Sequence, residues 1–141
     1  MNTFIAFLRS INVGGNNAIL MQELRELLAA SGFDNVQTYI QSGNVVFQSD
    51  ARRKSELASA VSRSIEQRYG FAPSVYVLTA DELQLAIKNN PFAFRSDDPK
   101  TGHCYFLATP PNVDALPRAR LLAKESEACE LLGSVFYLYA P

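Results

Sequence analysis

The sequence predicts an α+β protein of two lobes. Three observations carry this. Residues 1–80 read as strand, helix, strand, strand, helix, strand. Two of those strands form a hairpin around Ser42-Gly43-Asn44. The second half then reads as strand, helix, strand, strand and stops. The first succession is the ferredoxin-like, or split β-α-β, arrangement. The second is the same arrangement left incomplete at the C-terminus. The expected division is a first lobe over 1–80, then a linker helix and incomplete lobe over 81–141.

Each element has a local cause. Phe4-Ile5-Ala6-Phe7-Leu8 is a short apolar run of the kind that makes a buried strand. An Asn- and Gly-rich loop, Arg9 to Asn17, follows it. Leu20, Leu24, Leu27 and Leu28 recur at helical spacing, so a helix is predicted over about Met21 to Ala30, stopped by Gly32. Val36 to Gln41 and Val45 to Ser49 alternate as strands. A two-residue Gly43-Asn44 turn of type II′ would join them. That register places Val36, Thr38, Ile40, Ser42, Val45 and Phe47 on a core face, and Gln37, Tyr39, Gln41, Val46 and Gln48 on a mostly polar one. Leu57, Val61 and Ile65 mark a helix over about Lys54 to Tyr69, closed by Gly70. Val75 to Leu78 is the next strand.

Thr79 and Glu82 have the spacing of a capping box for a helix over about Asp81 to Asn89. Asn90-Pro91 ends that helix, and Phe92 or Phe94 is expected to anchor the turn. His103 to Ala108 is a strand. Pro110-Pro111 breaks the chain before a short helix over about Val113 to Ala119. Ala128 to Leu132 and Val135 to Tyr139 flank Gly133-Ser134 as a hairpin.

Composition narrows the function. The 141 residues carry 13 basic and 14 acidic side chains, a net charge of -1. A nucleic-acid binder relying on a strongly basic surface is argued against. An open sheet face with Tyr39 as the hairpin's one exposed aromatic is also a poor base-stacking platform. Two cysteines, Cys104 and Cys129, and the single His103 cannot supply four zinc ligands. Both thiols are expected to be buried. His103 and Cys104 are adjacent in a strand, so they point to opposite faces and cannot form a dyad. The chain opens without the basic start of a signal peptide, and no apolar run is long enough for a membrane helix. A cytoplasmic location without membrane contact is expected. The Arg52-Arg53-Lys54 run reads as a solvated helix start. Asp97 and Asp98 read as solvated loop carboxylates.

The strongest candidate site is a rim. In the expected strand order 4-1-3-2, the loop Arg9–Asn17 and the turn Gln41–Asn44 fall at the same end of adjacent strands. Arg9, Asn12, Gly14, Gly15, Asn16, Asn17, Gln41, Ser42 and Asn44 are the candidate ligand-binding residues, with Ser10 beside them. Arg9 would hold an anion. The asparagines and Gln41 would read polar groups, and the glycines would let the backbone approach. The same residues also suit plain turns and caps. The glycines lack the Lys of a Walker loop and the third glycine of a dinucleotide fingerprint. A small anionic or polar ligand is the leading reading. A binding module using the polar sheet face, and an oligomerisation unit, stay open beside it. No catalytic residue, reaction or cofactor is named by the sequence.

Phe4 to Asn17, then Thr38-Tyr39-Ile40-Gln41-Ser42-Gly43-Asn44-Val45-Val46-Phe47, then Asn90-Pro91-Phe92, resemble the signatures of a bacterial family called domain of unknown function 1697. Asp98-Pro99-Lys100 and the His103 strand are similar to its later segment. Ser10 stands where the family often has Gly. The resemblance implies two ferredoxin-like lobes and no established reaction. It also implies further chain beyond Tyr139, a helix and a closing segment with an Arg-Asn-Trp-like motif, whereas this sequence has no Trp. The strand Val135 to Tyr139 is apolar on both faces. A covering partner, such as a second copy of the chain, or a shortened C-terminus is therefore expected.

Overall fold

The computed structural model describes residues 1–95, 97–109, 112 and 114–141. The chain divides into two compact units, Met1–Gln84 and Leu85–Pro141. The described residues form two antiparallel sheets and four helices. The Pro110-Pro111 break and the expected helix start at Val113 lie outside the described residues.

The first unit runs β1 (Asn2–Leu8), α1 (Met21–Ala30), β2 (Asp34–Tyr39), β3 (Asn44–Ser49), α2 (Lys54–Tyr69) and β4 (Val75–Thr79), and ends within α3 (Ala80–Lys88). Its strand order is β2-β3-β1-β4, as expected from the succession of elements. Alternation puts Phe4, Ala6 and Leu8 of β1, Val45 and Phe47 of β3, and Val77 of β4 on the helix side. There they pack with Leu24 and Leu28 of α1 and Leu57, Val61 and Ile65 of α2. Phe33 meets Phe47 edge-on, ring centroids 4.8 Å apart. Gly70 ends α2 in the left-handed conformation, its N–H donating to the Glu66 carbonyl at 2.9 Å.

The opposite face of this sheet is polar only along the hairpin. Its centre is apolar: Ile5 pairs with Val46 on one side and Leu78 on the other, and Ile5 and Leu78 are buried. Read from the hairpin residues alone, that face is expected to be mostly polar. The hairpin is its edge and does not represent the middle.

The hairpin connection also corrects the expectation. Tyr39 pairs with Asn44, so residues 40–43 form a four-residue loop in place of a two-residue Gly-Asn turn. Val45 and Phe47 keep the predicted core face, but Ile40 turns outward, 60% exposed with φ 52°. The cause is Gly43, which is buried with φ +89°. A Cβ there would lie 2.9 Å from Leu8 Cβ and from Ile11 Cδ1. The loop is pulled down onto β1, and its earlier residues bulge away.

The second unit continues from α3 through β5 (Gly102–Phe106), α4 (Ala115–Leu122), β6 (Ala128–Leu132) and β7 (Val135–Tyr139). Its sheet order is β5-β7-β6, so β7 is the central strand. Tyr137 is its buried anchor, and its hydroxyl donates to the Ala86 carbonyl at 2.7 Å. Phe92, not Phe94, anchors the turn after α3. Its ring lies 6.3 Å from Tyr139, and the Arg95 guanidinium lies over both rings, whereas Phe94 is fully exposed. Cys129 is buried as expected, but Cys104 is exposed, on a strand whose residues Gly102 to Tyr105 are all exposed. No described helix is long and apolar enough to cross a membrane.

Candidate functional site

The rim is built by hydrogen bonds that the sequence could not show. Val13 and Asn16 form an isolated antiparallel bridge, and the Asn16 N–H donates to the Val13 carbonyl at 2.9 Å. Gly14 (φ 59°) and Gly15 (φ 77°) lie between them. Two positive φ values in a two-residue loop are those of a type I′ turn. The loop is thus a miniature hairpin. Below the turn, the Asn12 N–H donates to the Asn17 carbonyl at 3.1 Å.

Asn12 is the node. Its Oδ1 accepts from the Ile19 N–H at 2.7 Å, and its Nδ2 donates to the Ile19 carbonyl at 3.0 Å and the Gln41 carbonyl at 2.8 Å. The side-chain amide therefore pairs with Ile19 as a second backbone would, and also reaches the hairpin loop. Asn17 Nδ2 donates to the Ser10 carbonyl at 3.1 Å. Asn44 Nδ2 donates to the Tyr39 carbonyl at 3.3 Å and to Ser42 Oγ at 2.9 Å. The Leu8 N–H donates to the Gly43 carbonyl, and the Arg9 N–H to the Ser74 carbonyl, both at 2.9 Å.

The loop and the hairpin turn are therefore brought together, as the strand order requires. Asn12, Asn17 and Asn44 spend their amides on the protein itself. The side chains of Arg9, Asn16 and Gln41 are exposed and have no partner among the described residues. The Gly14 and Gly15 N–H groups also find no acceptor there, and the space around both glycines is open. The segments 9–17 and 40–44 contain no acidic residue, so Arg9 is their one charge.

The rim is also where left-handed backbone gathers. Of the five described non-glycine residues with positive φ, Ser10, Asn12, Asn17 and Ile40 lie in it, and Asn35 alone lies elsewhere. Asn35 sits in the β2 irregularity between Asp34 and Gln37. Sequence reasoning missed Ile40, and only its β-branched side chain in a left-handed position marks it out.

His103 and Tyr105 stack in β5 with centroids 6.3 Å apart. Desolvation pushes the Cys104 thiol up, which disfavours the thiolate. A cavity of about 360 Å³ in the second unit is lined by Arg120, Lys124, Glu127 and Cys129, among others. Arg120 pairs there with Glu130 at 3.1 Å, and Glu127 accepts from the Lys124 backbone N–H.

An α+β chain with two antiparallel sheets, and with an Asn/Gly loop bonded to a hairpin turn, has recognisable relatives. A family model described as protein of unknown function, DUF1697, matches residues 1–137, and the chain belongs to that family. Among solved structures it is similar to the conserved bacterial protein SP0830 from Streptococcus pneumoniae. That likeness has 26% sequence identity and a TM-score of 0.75, and covers 100% of this chain and 78% of the other. No curated protein matches the chain.

Proposed function

We propose that the rim binds a small anionic ligand, with Arg9 as the charged anchor. The observation that carries this reading is an exposed guanidinium without a partner among the described residues, on segments 9–17 and 40–44 that contain no carboxylate. Gln41 and Asn16 would read polar groups on the ligand. The Gly14 and Gly15 N–H groups are donors available to its oxygens. Asn12, Asn17, Ser42 and Asn44 act as the scaffold that holds these groups in place. Left-handed backbone at non-glycine residues costs about 1–3 kcal/mol each, and it gathers at sites where geometry matters more than stability.

A ferredoxin-like origin for both units belongs to the same reading. The order β5-β7-β6 repeats the order β1-β3-β2 with a helix in the same place, which supports two copies of one pattern.

The test is thermal stabilisation by a panel of small phosphates and carboxylates, repeated on Arg9→Ala and Gln41→Ala. At least one anion should raise the melting temperature. Arg9→Ala should abolish the shift and Gln41→Ala should reduce it. Equal shifts in all three proteins would overturn the assignment.

A further inference from the structure

We infer that the ligand of the rim is amphipathic: an anionic group joined to an aliphatic or aromatic body. This rests on the anion reading above and adds the class of ligand to it. Three aliphatic side chains of the rim segments and the α1 start are exposed. Val13 is 62% exposed, Leu20 63% and Ile40 60%. Each is the chain neighbour of a residue joined at the Asn12 amide: Asn12 itself, Ile19 and Gln41. Three exposed apolar side chains therefore flank, along the chain, the residues joined at one hydrogen-bonded node. Tyr39, also exposed, precedes Ile40.

Arg9 is the chain neighbour of two residues bonded within the rim. It lies between Leu8, bonded to the Gly43 carbonyl, and Ser10, bonded by the Asn17 amide. Ile40 is the most telling member. Its φ of 52° is one that Gly or Asn adopts readily and a β-branched residue does not. Asn12 and Asn17 occupy the same region with side chains suited to it. The turn does not call for an aliphatic residue at position 40, and the core does not bury it. An apolar contact surface on the rim that carries Arg9, a cation without a partner among the described residues, accounts for both facts. A site with apolar contact area and a few converging polar groups fits a ligand of the same two-part character.

The test titrates the intact chain with inorganic phosphate, ethyl, butyl and hexyl phosphate, phenyl phosphate, and hexanol, all below micelle formation. Affinity should rise along the alkyl series, by up to about fourfold per methylene buried. Hexanol should bind much more weakly than hexyl phosphate. Arg9→Ala should remove the advantage of the phosphate. Ile40→Asn should cut the preference for hexyl over inorganic phosphate about tenfold and raise the melting temperature, because Asn suits the left-handed backbone. If inorganic phosphate binds as tightly as hexyl phosphate, the apolar part of the proposal fails and the anion site stands. Hexyl phosphate binding unchanged in Ile40→Asn would overturn it equally. If hexyl phosphate binds Arg9→Ala undiminished, the contact is detergent-like adsorption and both readings fail. Both also fail if no probe binds.

Discussion

Asn12 shows what one side chain can hold together. Its amide makes three hydrogen bonds, two with the Ile19 backbone and one with the Gln41 carbonyl. At about 1 kcal/mol each, their loss in Asn12→Ala should cost about 2–3 kcal/mol in urea unfolding. Asn12→Asp should cost more, because a carboxylate oxygen would then face the Ile19 and Gln41 carbonyls in place of a donor. An Asp variant as stable as the Ala variant would show that the node is not what joins loop and turn. The sequence placed Asn12 in the right neighbourhood and suggested a different task for it. Asparagine serves a ligand and a backbone with the same two atoms. Only the position of Ile19, seven residues on, decides between them. Gly43 was legible as a turn glycine. Its close packing on Leu8 and Ile11 was not, because that depends on how β1 meets the loop.

At the scale of elements, periodicity was enough where a long apolar stripe existed. α1 and α2 have the bounds that Leu24, Leu28, Leu57, Val61 and Ile65 imply. The α3 cap was also legible, since Thr79 and Glu82 are close in sequence. The Glu82 N–H donates to Thr79 Oγ1 at 3.1 Å, and the Thr79 N–H to Glu82 Oε1 at 3.4 Å. Lys54, from α2, closes on the same carboxylate at 2.7 Å. Partial desolvation pushes the Glu82 carboxyl up, but the bonds from Lys54 and Thr79 outweigh it and hold its pKa below the ordinary 4.5. A pKa lowered by folding stabilises the fold above the unfolded value, and that contribution is lost as pH falls through the folded one. The stability gap between wild type and Glu82→Gln should therefore be full at pH 7 and should shrink below about pH 4.5. Urea midpoints at pH 7 and pH 3 would measure it, and a gap that widens in acid would contradict the assigned pairing. The hairpin loop was misread for the opposite reason: its length is set by contacts from β1, outside its own sequence.

Across the whole molecule, burial is unequal. Among the described residues sixteen buried apolar side chains lie in Met1–Gln84 and three, Ala86, Cys129 and Tyr137, in Leu85–Pro141. Local opening free energy follows buried apolar contact and hydrogen-bonded neighbours. Amide exchange should therefore be slowest in β1 and β3, which are paired on both sides. In the second unit, central β7 should be slower than the edge strands β5 and β6. Faster exchange in β1 than in β5 would contradict this ranking. The succession of elements was legible because each is local. The order within the first sheet followed from connectivity. The depth of the two cores was not legible, since hydrophobic composition is spread along both halves and does not say which side chains meet.

The miniature hairpin at the rim has a use beyond its own stability. The Val13–Asn16 bridge and the Asn12–Asn17 bond close the loop beneath its two glycines, and both glycines face open space. Chain inserted between Gly14 and Gly15 would be anchored at a fixed base and leave the core cluster untouched. A short peptide carrying an environment-sensitive dye could be grafted there. Its emission would report on the surroundings of the loop tip.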